Sequence, residues 1–291
     1  MPIREFFHLI HVVDDIASAN ERFGALFGGA RFNENWSDLD RRWASFMMLG
    51  DTMVELIQPS DAPEDRHQAL TKFYSRFGQH LHSLSWYVDA EDMPALFDAF
   101  LGEGVRVVKP GGGPFPEGTK DPGQTIFTHP KDTAGQMEFV GVHGGPLPFD
   151  PRSNAGWSPT PPGVSPLTLL GVSHFTMGTI DPLKLKELYE RVMSARTLRE
   201  EASSVFLRVG SQSVVELAAP VSAESLLGRD VAANGELPHA VTFRVADLEA
   251  AERHVAMVGV RVLERTGDAV VLAPDDMFGA VVALTDVEPF G

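Results

Sequence analysis

The chain has 291 residues and contains no cysteine. Disulfides, thiolate zinc sites and cysteine nucleophiles are therefore excluded, and any bound metal must be held by His, Asp or Glu. There is no run of about 18 apolar residues, the length that a membrane-spanning helix needs. The first residues also lack the apolar stretch of a signal peptide. These absences predict a cytoplasmic protein with no membrane partner.

Basic residues are scarce. The sequence has 24 Lys and Arg against 40 Asp and Glu, which gives a formal net charge of −16, and it contains no Lys/Arg run. A phosphate backbone would be repelled by this balance, so a nucleic acid is not expected as a partner. The 43% of hydrophobic and 22% of charged residues are typical of a globular protein with a proper core.

Residues 143–167 are rich in Pro, Gly and Ser and show neither a helical nor a strand period. This composition predicts a linker. The chain then divides into an N-terminal domain of residues 1–142, the linker 143–167, and a C-terminal domain of residues 168–291.

Each half divides again into two similar units. In the first unit an apolar strand over residues 6–13 precedes a helix over 16–27, which lies between Asp14-Asp15 and Gly28-Gly29 as start and stop signals. Strands over 43–49 and 52–57 follow, joined by a turn at Gly50-Asp51. The same order of elements recurs from Leu81, from Gly171 and from Pro238. The sequence therefore predicts an α+β protein with an internal repeat.

The repeat is supported residue by residue. The strand 82–88 aligns without a gap with 239–245, and the stretch 49–56 aligns with 209–217 with one extra residue in the turn. Units one and three therefore match each other, as do units two and four. This pattern indicates a duplicated two-unit ancestor.

Histidine and glutamate recur at matching points of the units. A histidine begins the first strand of every copy, and a glutamate lies within the last strand of three copies: His8, His82, His174 and His239; Glu55, Glu138 and Glu216. The fourth copy has Val282 at the glutamate position in this alignment. A carboxylate in so apolar a strand needs a compensating charge, which a divalent cation supplies. Nitrogen and oxygen ligands of this kind suit Zn, Ni, Co, Mn or Fe.

The N-terminal half is the better candidate for this metal site. His8 and Glu138 are its strongest predicted ligands, whereas His174 and His239 belong to a half that has lost one glutamate and are interpreted as remnants of the duplication. His11 alternates to the face opposite His8 and is expected to be structural.

Three stretches resemble the vicinal oxygen chelate superfamily of glyoxalases, bleomycin resistance proteins and extradiol dioxygenases. Residues 77–89 and 129–138 resemble the second-module strands of methylmalonyl-CoA epimerase-like members, and residues 8–15 are similar to the first-module entry of the glyoxalase I group. The resemblance implies four βαβββ modules that form two incomplete-barrel halves. It is specific for the fold and weak for the reaction.

The resemblance also implies a ligand set of His8, Glu55, His82 and Glu138. The metal would act as a Lewis acid on a carbonyl oxygen, and Glu138 or Glu55 would move the proton as the catalytic residue. The expected activity is that of a glyoxalase- or epimerase-like isomerase or lyase on a small carbonyl compound. One departure is visible: family members often have two adjacent histidines at the second-module entry, and the second of these positions is Ser83 here.

Two other functions stay open. One is an extradiol-type ring-cleaving dioxygenase with ferrous iron held by His8, His82 and Glu138. The other is a metal-free small-molecule binding protein, which the serine at position 83 and the degraded C-terminal half favour. The modules pair either within one chain or across a homodimer.

Overall fold

The structure is a computed structural model that describes residues 3–159 and 167–288. Residues 160–166 of the predicted linker lie outside the described residues. The described chain is built from four copies of one unit, each a strand, a helix and three further strands.

The first two modules have the following bounds: β1 Ile3–Val12, α1 Ile16–Phe27, β2 Ala30–Ser37, β3 Arg42–Leu49 and β4 Thr52–Pro59, then α2 Ala69–Phe77, then β5 His80–Asp89, α3 Met93–Gly102, β6 Val107–Val108, β7 Thr125–Thr128 and β8 Gln136–Val142. Short 3-10 helices cover Pro63–His67, Ala90–Asp92 and Pro151–Ser153.

The last two modules repeat this order: β9 Leu169–Gly178, α4 Pro182–Met193, β10 Arg196–Glu200, β11 Ser204–Val209 and β12 Ser213–Ala218, then α5 Leu226–Asn234, then β13 Leu237–Val245, α6 Leu248–Met257, β14 Val262–Arg265, β15 Ala269–Leu272 and β16 Val281–Thr285. A 3-10 helix covers Pro274–Met277.

Two eight-stranded sheets result, with the strand orders β2-β3-β4-β1-β5-β8-β7-β6 and β10-β11-β12-β9-β13-β16-β15-β14. The second order is the first with eight added to every strand number, so the duplication extends to the topology. The predicted α+β class with four βαβββ modules is therefore confirmed.

The chain forms two compact units. The first contains the chain up to His8 together with His82–Asn154 and Phe175–His239, and the second contains Leu9–Leu81, Ala155–His174 and the chain from Ala240 onward. Modules two and three supply most of the first unit, and modules one and four most of the second. The domain boundaries expected from the sequence stay a prediction.

Local signals explain where the first helix begins and ends. The side chain of Asp15 accepts hydrogen bonds from the backbone N–H groups of Ala17 and Ser18, and Gly28 ends the helix with a φ of 69°. Helical spacing places Ala19, Phe23 and Phe27 on one buried side of α1. The helix therefore forms where the sequence predicts it.

An arginine–aspartate ion pair is repeated in both halves, next to the edge strand of each sheet. Arg106 donates from Nε and Nη2 to Asp132 at 2.8 and 2.7 Å. Arg261 does the same to Asp276 at 2.9 and 3.0 Å. In each pair the aspartate also accepts from the backbone N–H of its arginine. Retention of this geometry in both copies is further evidence of duplication.

Candidate active site

His8 and Glu138 lie side by side in the first unit. Nε2 of His8, on β1, is 3.0 Å from Oε2 of Glu138, on β8, and the two side chains are 4% and 13% exposed. Both side chains are thus largely withdrawn from solvent at the point where they meet. The pair predicted most firmly from the sequence is therefore brought together.

The register between β5 and β8 decides which side chains share the face of Glu138. The two strands pair in parallel without a shift from Ser83 opposite Gln136 to Asp89 opposite Val142, and Ser85 lies opposite Glu138. Directly opposite residues point to the same face of a sheet, and successive residues alternate. Ser83 and Ser85 thus share the face of Glu138. The alternation assigns His82 to the other face, and its Nδ1 is 2.9 Å from Oγ of Ser83.

The hydroxyl of Ser85 is fully buried and has no hydrogen-bond partner among the residues that the structure describes. A buried polar group without a partner is energetically costly and is rare in native proteins. Because Ser85 is the direct register neighbour of Glu138, this hydroxyl lies on the same face of the sheet as that half-buried acid.

Glu55 lies in the second unit and has a cationic partner of its own. Nη1 of Arg42 is 3.1 Å from Oε1 of Glu55, whose side chain is only 3% exposed. The antiparallel register of β3 and β4 places Phe46 opposite Glu55 and Pro59 opposite Arg42, so both charged side chains lie on one face. The sequence predicts that a bound divalent cation compensates the charge of Glu55. In the structure Arg42 places a positive charge beside that carboxylate.

A metal site needs several ligand side chains that lie close together. Within residues 3–159 and 167–288, no group of three or more His, Asp or Glu side chains is arranged to hold a metal ion. Two of the four predicted ligands, His8 and Glu138, are in contact. This contact brings together two of the three protein ligands that a catalytic zinc site uses. The ligand set His8, Glu55, His82 and Glu138 stays a prediction.

The C-terminal copy keeps some of these groups. Thr176 donates to Oε2 of Glu216 at 2.7 Å, and burial raises the pKa of that carboxyl above its usual value. Nδ1 of His239 is 2.5 Å from Oδ2 of Asp230. Nε2 of His174 is 3.3 Å from Oγ1 of Thr242. Each predicted remnant therefore has a protein partner.

The sequence alignment that places Val282 at the position of Glu138 is wrong by one residue. The parallel register of β13 and β16 places Ala240 opposite Val281 and Thr242 opposite Ala283. Since Ser83 and Ser85 of β5 correspond to residues 240 and 242, the residue that replaces Glu138 is Ala283 and not Val282. The carboxylate is absent in either alignment.

Arg42 and Ser85 were missed in the sequence, although a signal for Arg42 was present. The turn at Gly50-Asp51 was predicted, and counting outward from it pairs Phe46 with Glu55. Arg42 is four residues from Phe46 and so falls on the same face. Ser85 had no comparable signal, because its neighbour on β8 depends on a register set between distant segments.

His11 is buried, and its Nε2 is 2.8 Å from the carbonyl oxygen of Phe278. Burial lowers the pKa of His11 to about 4, although the hydrogen bond to Phe278 acts in the opposite direction. The unfolded chain therefore binds a proton at His11 as the pH falls below about 6.5, while the folded protein does not until about pH 4. Stability contributed by neutral His11 is thus lost as the pH falls through this window.

We predict that the free energy of unfolding falls by about 2 kcal/mol more between pH 7 and pH 5 in the wild type than in His11→Gln. Glutamine keeps an amide donor for Phe278 but does not titrate in this range. Urea unfolding at the two pH values measures the difference, and identical pH dependence of the two proteins would contradict the assignment of a neutral buried His11.

Part of the chain matches the model of a known protein family. Residues 7–122 match the model of the Glyoxalase/Bleomycin resistance protein/Dioxygenase superfamily. The resemblance to this superfamily expected from the sequence is thereby confirmed. No curated protein matches the chain.

A solved structure that aligns with nearly the whole chain shows the same fold. A mutant of 4-hydroxymandelate synthase from Streptomyces coelicolor aligns with a TM-score of 0.69 at 14% identity, over 98% of this chain and 92% of that one. Methylmalonyl-CoA epimerase from Mycobacterium tuberculosis aligns over 40% of this chain and 88% of its own at 23% identity, with a TM-score of 0.38. An epimerase variant from Streptomyces coelicolor aligns over 40% and 96% at 25% identity, with a TM-score of 0.37.

The description of the matched model names glyoxalases, resistance proteins and dioxygenases, so the match does not fix one activity. The alignment with the synthase concerns the fold, and the choice between activities has to come from the side chains of this protein. Among the described residues, no helix is both long and apolar enough to cross a membrane.

Proposed function

We propose that this protein is an isomerase or lyase that acts on a small carbonyl compound by proton transfer. The observation that carries the proposal is the 3.0 Å contact between Nε2 of His8 and Oε2 of Glu138, with both side chains withdrawn from solvent. Such enzymes remove a proton from the carbon next to a carbonyl group, and a positioned acid–base pair contributes about 10²–10⁴-fold to the rate of such a step.

In this proposal His8 and Glu138 hold and move the proton as one unit. The carboxylate of Glu138 orients the imidazole of His8 and faces the proton that the imidazole takes from carbon. The catalytic role that the sequence predicts for Glu138 is part of this proposal. The catalytic role that it predicts for Glu55 is not part of the proposal and stays a prediction.

In this proposal Ser85 donates a hydrogen bond to the carbonyl oxygen of the substrate. Its buried hydroxyl has no partner among the described residues and lies on the face of Glu138, so it can donate to the negative charge that develops on the oxygen when the proton leaves carbon. A donor that is already desolvated needs no reorganisation at that moment.

Replacing Ser85 by alanine is expected to lower kcat/KM by about 10²-fold, because one donor to the developing oxyanion is lost. The fold should survive, since the exchange removes only a hydroxyl without a partner. Ser45→Ala is the matched control: Ser45 is also a fully buried strand serine, but its hydroxyl is bonded to Asn20 at 2.8 Å. Equal activity of Ser85→Ala and the wild type would remove Ser85 from the proposal.

The proposal is tested by proton exchange at carbon. The protein is incubated in D₂O with a panel of small 2-oxo acids, hydroxyketones and acyl thioesters, and deuterium at the carbon next to the carbonyl is followed by NMR. We expect catalysed exchange with at least one class. Absence of exchange with every class, in protein whose folding has been checked by circular dichroism, would contradict the proposal.

A second candidate is a small-molecule binding protein without catalysis. The serines at positions 83 and 85 on the face of Glu138 favour it, because hydroxyls bind polar groups without performing proton transfer. It predicts that a panel compound raises the melting temperature while no deuterium enters its carbon. The dioxygenase has less support, because it needs iron held by three side chains and the register gives serines where the second histidine is required.

A further inference from the structure

A buried network connects residues 147–152 to the strand that carries His8. Arg152 donates from Nη1 to the carbonyl oxygen of Phe6 at 2.7 Å and from Nη2 to that of Phe7 at 2.9 Å. The Phe7 carbonyl belongs to the peptide group that leads into His8. All these residues lie in the first compact unit. A segment interpreted from the sequence as a linker thus holds the backbone directly before His8.

Asp150 holds the guanidinium in this position. Its side chain is fully buried, and it accepts from Nε of Arg152 at 3.0 Å and from Nη2 at 2.6 Å. It also accepts from the hydroxyl of Tyr87 at 2.9 Å. Burial acts to lower the pKa of Arg152, but its contacts with Asp150 outweigh this and raise it. The guanidinium therefore stays charged and doubly anchored.

Tyr87 connects the network to the face of Glu138. Tyr87 lies opposite Val140 in the β5–β8 register, two residues beyond Ser85, and so shares the face of Ser85 and Glu138. Its ring stacks on that of Phe7 at a centroid distance of 4.3 Å. The ring of Phe7 is in turn 4.0 Å from the imidazole of His8. The contacts thus reach His8 both through the backbone and through the aromatic rings.

We propose that Arg152, fixed by Asp150 and Tyr87, is a positioning residue that holds the imidazole of His8 against Glu138. This inference rests on the proposed function, because the positioned pair is the one assigned to proton transfer. Arg152 does not touch the reacting atoms. It acts by binding the two carbonyl groups that precede His8, and a guanidinium is suited to this because its planar fork presents several donors at fixed angles.

The test compares Arg152→Gln with Arg152→Lys and with Arg106→Gln. Arg106 forms a similar forked pair with Asp132 at the surface of the same unit, has no contact in the network described above, and so controls for loss of an arginine–aspartate pair. In the deuterium-exchange assay we expect Arg152→Gln to lower kcat about 10–100-fold with KM changed less than about twofold. Arg152→Lys should restore part of the rate, and Arg106→Gln should change neither constant.

A second measurement does not depend on the reaction. The imidazole ¹⁵N resonances of His8, assigned by their loss in His8→Gln, are expected to shift in Arg152→Gln and to stay unchanged in Arg106→Gln. If these resonances shift while the wild type catalyses no exchange, the proposed function fails and the positioning role stands. Unchanged His8 resonances together with an unchanged kcat in Arg152→Gln would overturn the positioning role.

Loss of Arg152 leaves Asp150 buried, so Arg152→Gln can fail to fold. The double variant Arg152→Gln/Asp150→Asn avoids the buried charge and keeps an amide pair at the same place. It is expected to fold and to show the same shift of the His8 resonances. A folded double variant with wild-type His8 resonances would also overturn the proposal.

Discussion

Replacing Arg42 by methionine is expected to lower the free energy of unfolding by about 3–5 kcal/mol, the usual cost of breaking a buried ion pair from one side. The physical reason is that Glu55, whose side chain is 3% exposed, loses the cation 3.1 Å away, and a buried carboxylate without that partner is costly. Methionine preserves much of the arginine volume, so the loss reports the charge rather than a cavity. Equilibrium unfolding in urea at pH 7 measures it.

Two controls make this result specific to the buried pair. The double variant Arg42→Met/Glu55→Met replaces both charges by apolar groups and should recover most of the loss, because a buried ion pair is often no more stabilising than a packed apolar pair. Arg31→Met breaks an ion pair with Glu34 whose members are both exposed and should change little. A single variant as stable as the wild type would show that Arg42 does not neutralise Glu55.

The second large effect is expected at the acid–base pair. His8→Gln and Glu138→Gln should each lower the rate of carbon-proton exchange by about 10³-fold, within the range that general acid–base groups contribute. The double variant should be no slower than the slower single variant, because residues that act as a unit give strongly non-additive losses. Initial exchange rates of the three variants on the best panel substrate provide the measurement.

His11→Gln is the matched control for His8→Gln. His11 is likewise a buried histidine of β1, but it bonds to the carbonyl oxygen of Phe278 and plays no part in the proposed chemistry. It should keep its exchange rate at pH 7. If His8→Gln and His11→Gln lost activity equally, or if His8→Gln lost none, the assignment of proton transfer to His8 would be wrong.

Much of the fold follows from local signals in the sequence. The first helix has a carboxylate cap and a left-handed glycine at its end, and apolar residues at helical spacing between them. The duplication could be recognised because matched strands kept their histidines and glutamates. The structure places His8 and Glu138 in contact, while their predicted role as metal ligands stays a prediction.

The rest of the site depends on long-range pairing. A one-residue change of register turns every side chain of a strand to the other face, and no turn residue links β13 to β16 or β5 to β8. This is why the sequence alignment puts Val282 instead of Ala283 at the position that corresponds to Glu138. It is also why the sequence gives no signal for Ser85. The anchor at Arg152 lay in a Pro- and Gly-rich stretch whose composition predicts only a linker.

The central claim is that His8 and Glu138 act together as the acid–base pair of the proton transfer. The most direct test is the deuterium-exchange rate of the wild type beside those of His8→Gln and Glu138→Gln on the best panel substrate. We expect catalysed exchange in the wild type and a loss of about 10³-fold in each variant. Wild-type exchange rates in both variants would contradict the claim.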